Sequence, residues 1–195
     1  MPRSAKSKGK PESRNVWENW LTEKAIRRRY ERAVMREEIV NFLLRLLLLI
    51  SILAVTFFII FGAYTQDDMA MAPAVNSGDL VIYQRGLKGF QLGDVLVYEV
   101  NGKNYCGRVV ACPNDTVEIT DEGTLKVNGY AQIEDRIYNG TSPGSANTYP
   151  VVMDLDEYFL LADARGNAKD CRDFGPVKLS HIKGRAAFLI RMNDF

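Results

Sequence analysis

Three cysteines, Cys106, Cys112 and Cys171, and one histidine, His181, are the obvious candidates for covalent chemistry in this 195-residue chain. A thiolate acts as a nucleophile only when a base or cation lowers its pKa. His181 follows all three cysteines in no recognisable Cys–His arrangement, and it reads as a surface or strand-end residue. Zinc sites need paired Cys or His at short spacing, and no such spacing occurs, so neither a metal nor a cofactor is expected. Ser77 stands beside Gly78 and has the residue type of a turn. Asp163, Arg165, Asp170 and Arg172 alternate carboxylate with guanidinium, a set that braces strands through charge-assisted hydrogen bonds. Nothing resembles a phosphate loop or a nucleic-acid module.

These residues must be positioned by elements of two kinds. Residues 1–45 carry twelve Lys/Arg against six Asp/Glu, whereas residues 67–195 carry thirteen against eighteen. Between them, Leu46 to Gln66 holds no charge. At ~1.5 Å per residue a helix of that length spans about 30 Å, the thickness of a bilayer core. The division expected is a cytoplasmic basic tail and helix over 1–41, a transmembrane helix over 42–64 and an extracytoplasmic domain over 65–195. A secretory leader would have a shorter apolar core close to the start, so an uncleaved anchor is the reading. The basic flank, from Lys24 through Arg36 and Arg45, places the N-terminus in the cytoplasm. Residues 1–15, rich in Lys, Ser, Gly and Pro, are expected to be disordered, with a helix from about Trp17.

Beyond the anchor the pattern becomes β. Asp79–Tyr83, Asp94–Tyr98, Tyr105–Ala111, Thr116–Thr120, Thr124–Val127, Tyr158–Ala162 and Arg185–Arg191 are short β-branched or aromatic runs separated by Gly, Asn and Asp. Asn139–Asn147 reads as an exposed loop. The fold class is therefore mainly β, one extracytoplasmic domain on a single helix. An odd cysteine count there argues against a disulfide framework; three packed thiols are expected, with one pair left open if the fold unites it.

Three segments in this order resemble a known family. Ala70-Met71-Ala72-Pro73 with Gly78-Asp79 resembles the Ser-Met-x-Pro…Gly-Asp box of the type I signal peptidases (S26), with Ala70 in the place of the nucleophilic Ser. Gly107-Arg108-Val109-Val110-Ala111-Cys112-Pro113 resembles the second box, with Gly107 in the place of the general-base Lys. Ala162 to Gly175 resembles the last box, where Ala168 stands for the Ser that supports that Lys. Asp163, Arg165, Asp170, Arg172 and Gly175 keep the family's residues, as do Pro73 and Asp79. The resemblance covers residues 42–191 and implies a signal-peptidase-like β-barrel or sheet domain. A two-residue slip of the first box would put Asp68 in the nucleophile slot; either register lacks Ser.

In that family the substrate lies extended between two walls, here Gln66 to Met71 and Asn104 to Gly107, so Gln66, Asp68, Ala70, Met71, Tyr105, Cys106 and Gly107 form the expected peptide cleft. Main-chain pairing there needs no catalytic side chain. Asp68, in the slot of an oxyanion-supporting hydroxyl, would repel developing negative charge. The resemblance extends to a subgroup in Gram-positive pilus loci that lacks both catalytic residues. It implies an accessory or chaperone of sortase-driven pilus assembly, partnered by a major pilin or the pilin sortase. Two alternatives stand beside it: a type I signal peptidase with unconventional or substituted active-site residues, and a membrane-anchored adaptor for other exported chains.

Overall fold

The computed structural model describes residues 13–134, 137, 140–166 and 168–192. Of the segment expected to be disordered, residues 1–12 lie outside this description, as do Asn139 of the expected loop and Asn167 of the last box. The first element is a helix, α1 (Ser13–Ile60), whose C-terminal part is apolar enough to cross a membrane, with a mean hydropathy of 2.8 over its most apolar window. Its apolar side chains from Ile39 to Ile60 are exposed to surroundings that contain no protein. The helix stops at Ile60, whose carbonyl accepts a hydrogen bond from the Arg85 amide at 2.8 Å. Phe61–Thr65 (β1) then runs as a strand, so the end of the apolar run over 61–64 pairs within a sheet rather than continuing the helix.

The remaining strands are β2 (Leu80–Gln84), β3 (Val95–Val100), β4 (Lys103–Ala111), β5 (Thr116–Ile119), β6 (Leu125–Val127), β7 (Tyr130–Ala131), β8 (Val151–Val152), β9 (Glu157–Leu161), β10 (Val177–Lys178) and β11 (Ile182–Ile190). A four-residue helix, α2 (Cys171–Phe174), follows β9. All pairings among the described residues are antiparallel. One sheet has seven strands in the order β1-β2-β11-β3-β4-β9-β10, and the other has four, β7-β6-β5-β8. The seven runs read as strands in the sequence are β2 to β6, β9 and β11, each within a few residues of its expected bounds.

Two clusters of buried side chains hold the domain. The larger packs Leu96, Tyr98, Phe159, Leu160 and Leu161 against Val117, Ile119 and Leu125. The smaller joins Met71, Val75, Val81, Tyr83, Val97, Cys106 and Ala162, with Tyr64, Ala70 and Ala168 packed on it. Alternation along β3 feeds both: successive side chains point to opposite faces of a strand, so Val97 enters the smaller cluster while Leu96 and Tyr98 enter the larger. Residues 140–147 form no regular element, but Thr141 within them is buried, so the segment is not wholly the exposed loop expected.

Candidate functional site

The first box follows the β1 edge of the large sheet. The ladder between β1 and β2 extends past Thr65: the Gln66 amide donates to Asp79 O at 3.0 Å, and the Gly78 amide donates to Gln66 O at 2.7 Å. Asp79 is buried and its Oδ2 accepts from the Asn76 amide at 2.9 Å. A carboxylate here closes the turn that brings residues 66–73 back beside β2. Met71, fully buried, anchors this turn in the smaller cluster. Burying a side chain of that size contributes about 1.5–3 kcal/mol.

Asp68 organises the chain around Ala70. Its Oδ1 accepts two hydrogen bonds, from Gln66 Nε2 at 2.6 Å and from the Ala70 amide at 2.9 Å. The Ala70 carbonyl in turn accepts from the Ala164 amide at 2.8 Å, which ties the first box to the last. Gln66 is buried, and its Oε1 has no donor among the described residues.

The second wall is β4. Residues 104–107 pair with β3 alone, because β9 joins β4 only from Arg108 onward. Two backbone edges are thereby left without strand partners, that of β1 and that of Asn104–Gly107. The Tyr64 hydroxyl donates across the gap to Asn104 O at 3.4 Å. Cys106 points into the smaller cluster with Met71 and Ala70, whereas Gly107 faces the opposite way. A Cβ built on Gly107 would lie 3.2 Å from Tyr98 Cε1, 3.3 Å from Leu160 Cβ and 3.5 Å from Leu161 O. The Tyr98 ring therefore lines the space toward which a side chain at 107 would grow. Tyr98 is fully buried and its hydroxyl has no hydrogen-bond partner among the described residues. Tyr105 lies between the rings of Tyr98 and Phe174, at 5.9 and 4.9 Å.

The charged residues of the last box lock these walls together. Asp163 takes a bidentate pair from Arg108, with Nε to Oδ1 at 2.8 Å and Nη2 to Oδ2 at 2.6 Å. Arg165 has no exposed side-chain surface; it donates to Ala162 O, Thr141 Oγ1 and Glu134 Oε1 at 2.7, 2.5 and 2.5 Å. Asp170 caps α2 by accepting from the Arg172 amide, and it also accepts from Arg172 Nε and Nη2 and from the Ala162 amide. Arg108, Glu134 and Thr141 are participants that sequence reasoning did not single out. An Arg directly after the base slot is a signal that was there to be read, whereas Glu134 and Thr141 lie in a segment whose placement no local pattern gives.

The thiols are poor nucleophiles. Burial, and then the Asp163 carboxylate, push Cys106 up to about 12, against an opposing effect of Arg108. Burial also raises Cys171, which accepts a hydrogen bond from the Leu160 amide at 3.1 Å. Cys112 is half-buried and raised as well, by desolvation and then by Asp115. All three are free thiols. At pH 8 a thiol of pKa 12 is only about one part in ten thousand thiolate. Mass spectrometry after brief iodoacetamide treatment of the native protein should find Cys112 modified first. Cys106 and Cys171 should react only after denaturation, and rapid native modification of Cys106 would contradict this assignment.

His181 ends a short 3-10 turn, Leu179–His181, and is exposed, far along the chain from both walls. Ser77 donates to Asp67 O at 3.1 Å in the turn, as its sequence context suggested. Among the described residues no group of His, Cys, Asp and Glu is arranged to hold a metal ion. A separate hollow of about 300 Å³, with Leu92, Val110, Leu125 and Ile137 in its lining, shares Arg108 and Glu134 with the charged array.

An apolar helix that runs into an antiparallel domain of two sheets, with residues 66–71 and 104–107 facing each other across unpaired edges, defines a signal-peptidase-like fold. The chain belongs to the signal peptidase, peptidase S26 family, whose model matches residues 39–191. It is similar to signal peptidase I of Bacillus amyloliquefaciens, 24% identical over 67% of this chain and 76% of that one. It is also similar to signal peptidase I S of Bacillus subtilis, 25% identical over 67% and 77%. A crystal structure of a signal peptidase I from Enterococcus faecalis is 25% identical; the match covers 52% of this chain and all of that one, with a TM-score of 0.44.

Proposed function

We propose that this chain is a catalytically inert, signal-peptidase-like membrane protein. It serves as an accessory or chaperone of sortase-driven pilus assembly and holds an extended segment of a pilin, or of the pilin sortase, in the former substrate cleft. The observation that carries the inert reading is the hydrogen bond from the Ala70 amide to Asp68. In serine peptidases the amide of the nucleophilic residue faces the developing oxyanion. Here it is committed to a carboxylate, in a position with neither a hydroxyl beside it nor an amine at Gly107. Losing a nucleophile or base costs on the order of a million-fold in turnover.

The binding half of the proposal is supported by the unpaired edges of β1 and of Asn104–Gly107, which offer main-chain donors and acceptors to an added strand. The basic flank of α1, Lys24 to Arg36, supports an orientation with the N-terminus in the cytoplasm and residues after 65 outside. The assignment to pilus assembly rests on likeness to the degenerate subgroup, and a fold alone does not fix function. The second reading, an active signal peptidase with unconventional residues, is favoured by the names of the relatives.

One experiment separates the two: a blot of surface proteins from a strain lacking this gene, probed for a pilin encoded beside it. Loss of the covalent high-mass ladder with signal peptides still removed is the expected outcome. Accumulation of uncleaved precursors, reversed by the unaltered chain, would establish peptidase activity instead.

A further inference from the structure

We infer that the groove selects a lysine side chain on its extended partner, with the ammonium received between the Asp68 carboxylate and Gln66 Oε1 beside Ala70; this rests on reading the cleft as an inert binding groove. Two independent features at one place carry it. The first is unbalanced charge. Asp67 and Asp68 are exposed on the wall, and neither has an ion-pair partner among the described residues. Lys103, at the start of the strand that carries the opposite wall, lies over the Tyr105 ring at 5.5 Å and makes no ion pair with either carboxylate.

The second feature is an orphaned acceptor. Gln66 is 2% exposed, and its Nε2 is spent on Asp68 Oδ1, which leaves Oε1 without a donor. Exchanging the amide nitrogen and oxygen would set a carbonyl against the carboxylate at 2.6 Å, so this orientation is the electrostatically required one. Asp68 Oδ1 is saturated by Gln66 and Ala70, and Oδ2 has no hydrogen bond among the described residues. A buried carbonyl and a free carboxylate oxygen together suit a donor that is cationic and carries several N–H bonds.

Lysine fits this pair better than arginine. Its ammonium is a compact donor with three hydrogens, whereas a guanidinium fork wants two coplanar oxygens of one group. The half-exposed ring of Tyr64 packs on the same cluster as Ala70, where it can cover the four-carbon stem of a side chain that ends in a solvated or paired charge. Ala70, whose amide donates to Asp68 Oδ1, presents only a methyl group beside that carboxylate.

The test uses the full-length chain in detergent micelles and fluorescence anisotropy with three labelled nonapeptides of alternating valine and threonine. Their central residue is lysine, Nε-acetyl-lysine or glutamate. The lysine peptide is expected to bind about ten-fold tighter than the acetylated one, in line with a charge-assisted contact at a partly buried site. The preference should shrink with added salt. Asp68→Asn keeps the Oδ1 acceptor for Ala70 and should abolish the preference, while Asp68→Lys should transfer it to the glutamate peptide. Gln66→Leu should weaken the lysine peptide selectively. Equal binding of all three peptides, or a preference unchanged in Asp68→Asn, would overturn lysine selection and leave the groove reading standing. Failure of every peptide to bind would overturn both.

Discussion

Asp170→Ala is expected to destabilise the β domain by about 3–5 kcal/mol, the usual cost of removing one partner from a buried ion pair. Asp170 has no exposed surface, and Arg172 is almost equally buried. The carboxylate accepts from Arg172 Nε at 2.8 Å and Nη2 at 2.9 Å, from the Arg172 amide at 3.0 Å and from the Ala162 amide at 3.0 Å. Its loss would strand a buried guanidinium, uncap α2 and leave the amide just beyond β9 without its acceptor. Arg172 also donates to Arg165 O at 2.9 Å, so the damage would reach the residue that holds Thr141 and Glu134. Urea unfolding followed by tryptophan-independent far-UV circular dichroism should show the midpoint falling with little change in slope. Asp170→Asn should cost less, because the amide oxygen still accepts. Arg108→Ala should also cost less than Asp170→Ala, since Arg108 is partly exposed. A stability loss below about 1 kcal/mol in Asp170→Ala would mean that the array is ornamental to the fold.

That array was legible before the structure because its residues are rare inside proteins. Buried Asp and Arg occur almost only when paired, so a run alternating the two signals a paired array, although only Asp170 and Arg172 pair within it while Asp163 takes Arg108 and Arg165 takes Glu134. Seven of the strands, β2 to β6, β9 and β11, were legible for a different reason: β-branched and aromatic runs between Gly, Asn and Asp clusters have few other folds open to them. The short elements were not. β7, β8 and β10 have two residues each, too few for alternation to register, and exist because a longer neighbour offers a ladder. β1 was hidden inside the apolar run. Phe61-Gly62-Ala63-Tyr64-Thr65 is as compatible with a membrane helix as with a strand, and only the partner edge of β2 decides.

For the candidate site, family resemblance proposes positions and no local pattern reports the contacts. Motif spacing located Ala70, Gly107 and Ala168, and the structure packs Ala70 and Ala168 on the cluster that holds Cys106 and Met71. No spacing rule reports that Asp68 caps the Ala70 amide, that Gln66 keeps a free acceptor, or that Tyr98 lines the space before Gly107. Each of these is a relation between residues on different strands or on either side of a turn, set by packing rather than by local propensity. Tyr98 itself reads as an ordinary strand residue until its neighbour across the ladder is known.

Placing a serine and a lysine in the two slots that the family resemblance assigns, Ala70→Ser with Gly107→Lys, is expected to give no detectable cleavage of a preprotein by the full-length chain in detergent. The reasons are geometric and add to one another. The first carbon of a side chain at 107 would already stand 3.2 Å from the Tyr98 ring and 3.3 Å from Leu160 Cβ, closer than ordinary packing allows. The remaining chain of a lysine would have to displace that ring, and its amine would arrive without the hydroxyl that Ala168 lacks. The Ala70 amide would still donate to Asp68 at 2.9 Å, so a tetrahedral intermediate would meet a carboxylate where it needs a donor. Removing one oxyanion donor alone costs about a hundred- to a thousand-fold, and an unsupported base costs more. Adding Asp68→Ser, Ala168→Ser and Tyr98→Leu to the pair addresses each obstacle in turn, and product should appear only as they accumulate. The order of recovery carries the information. If Asp68→Ser is the step that first yields product, the capped amide is the dominant block; if Tyr98→Leu is, the ring is. Efficient cleavage by the simple double variant would mean that the scaffold stayed poised for catalysis, and the groove would then be a peptidase cleft lacking two side chains rather than a surface rebuilt for holding a partner.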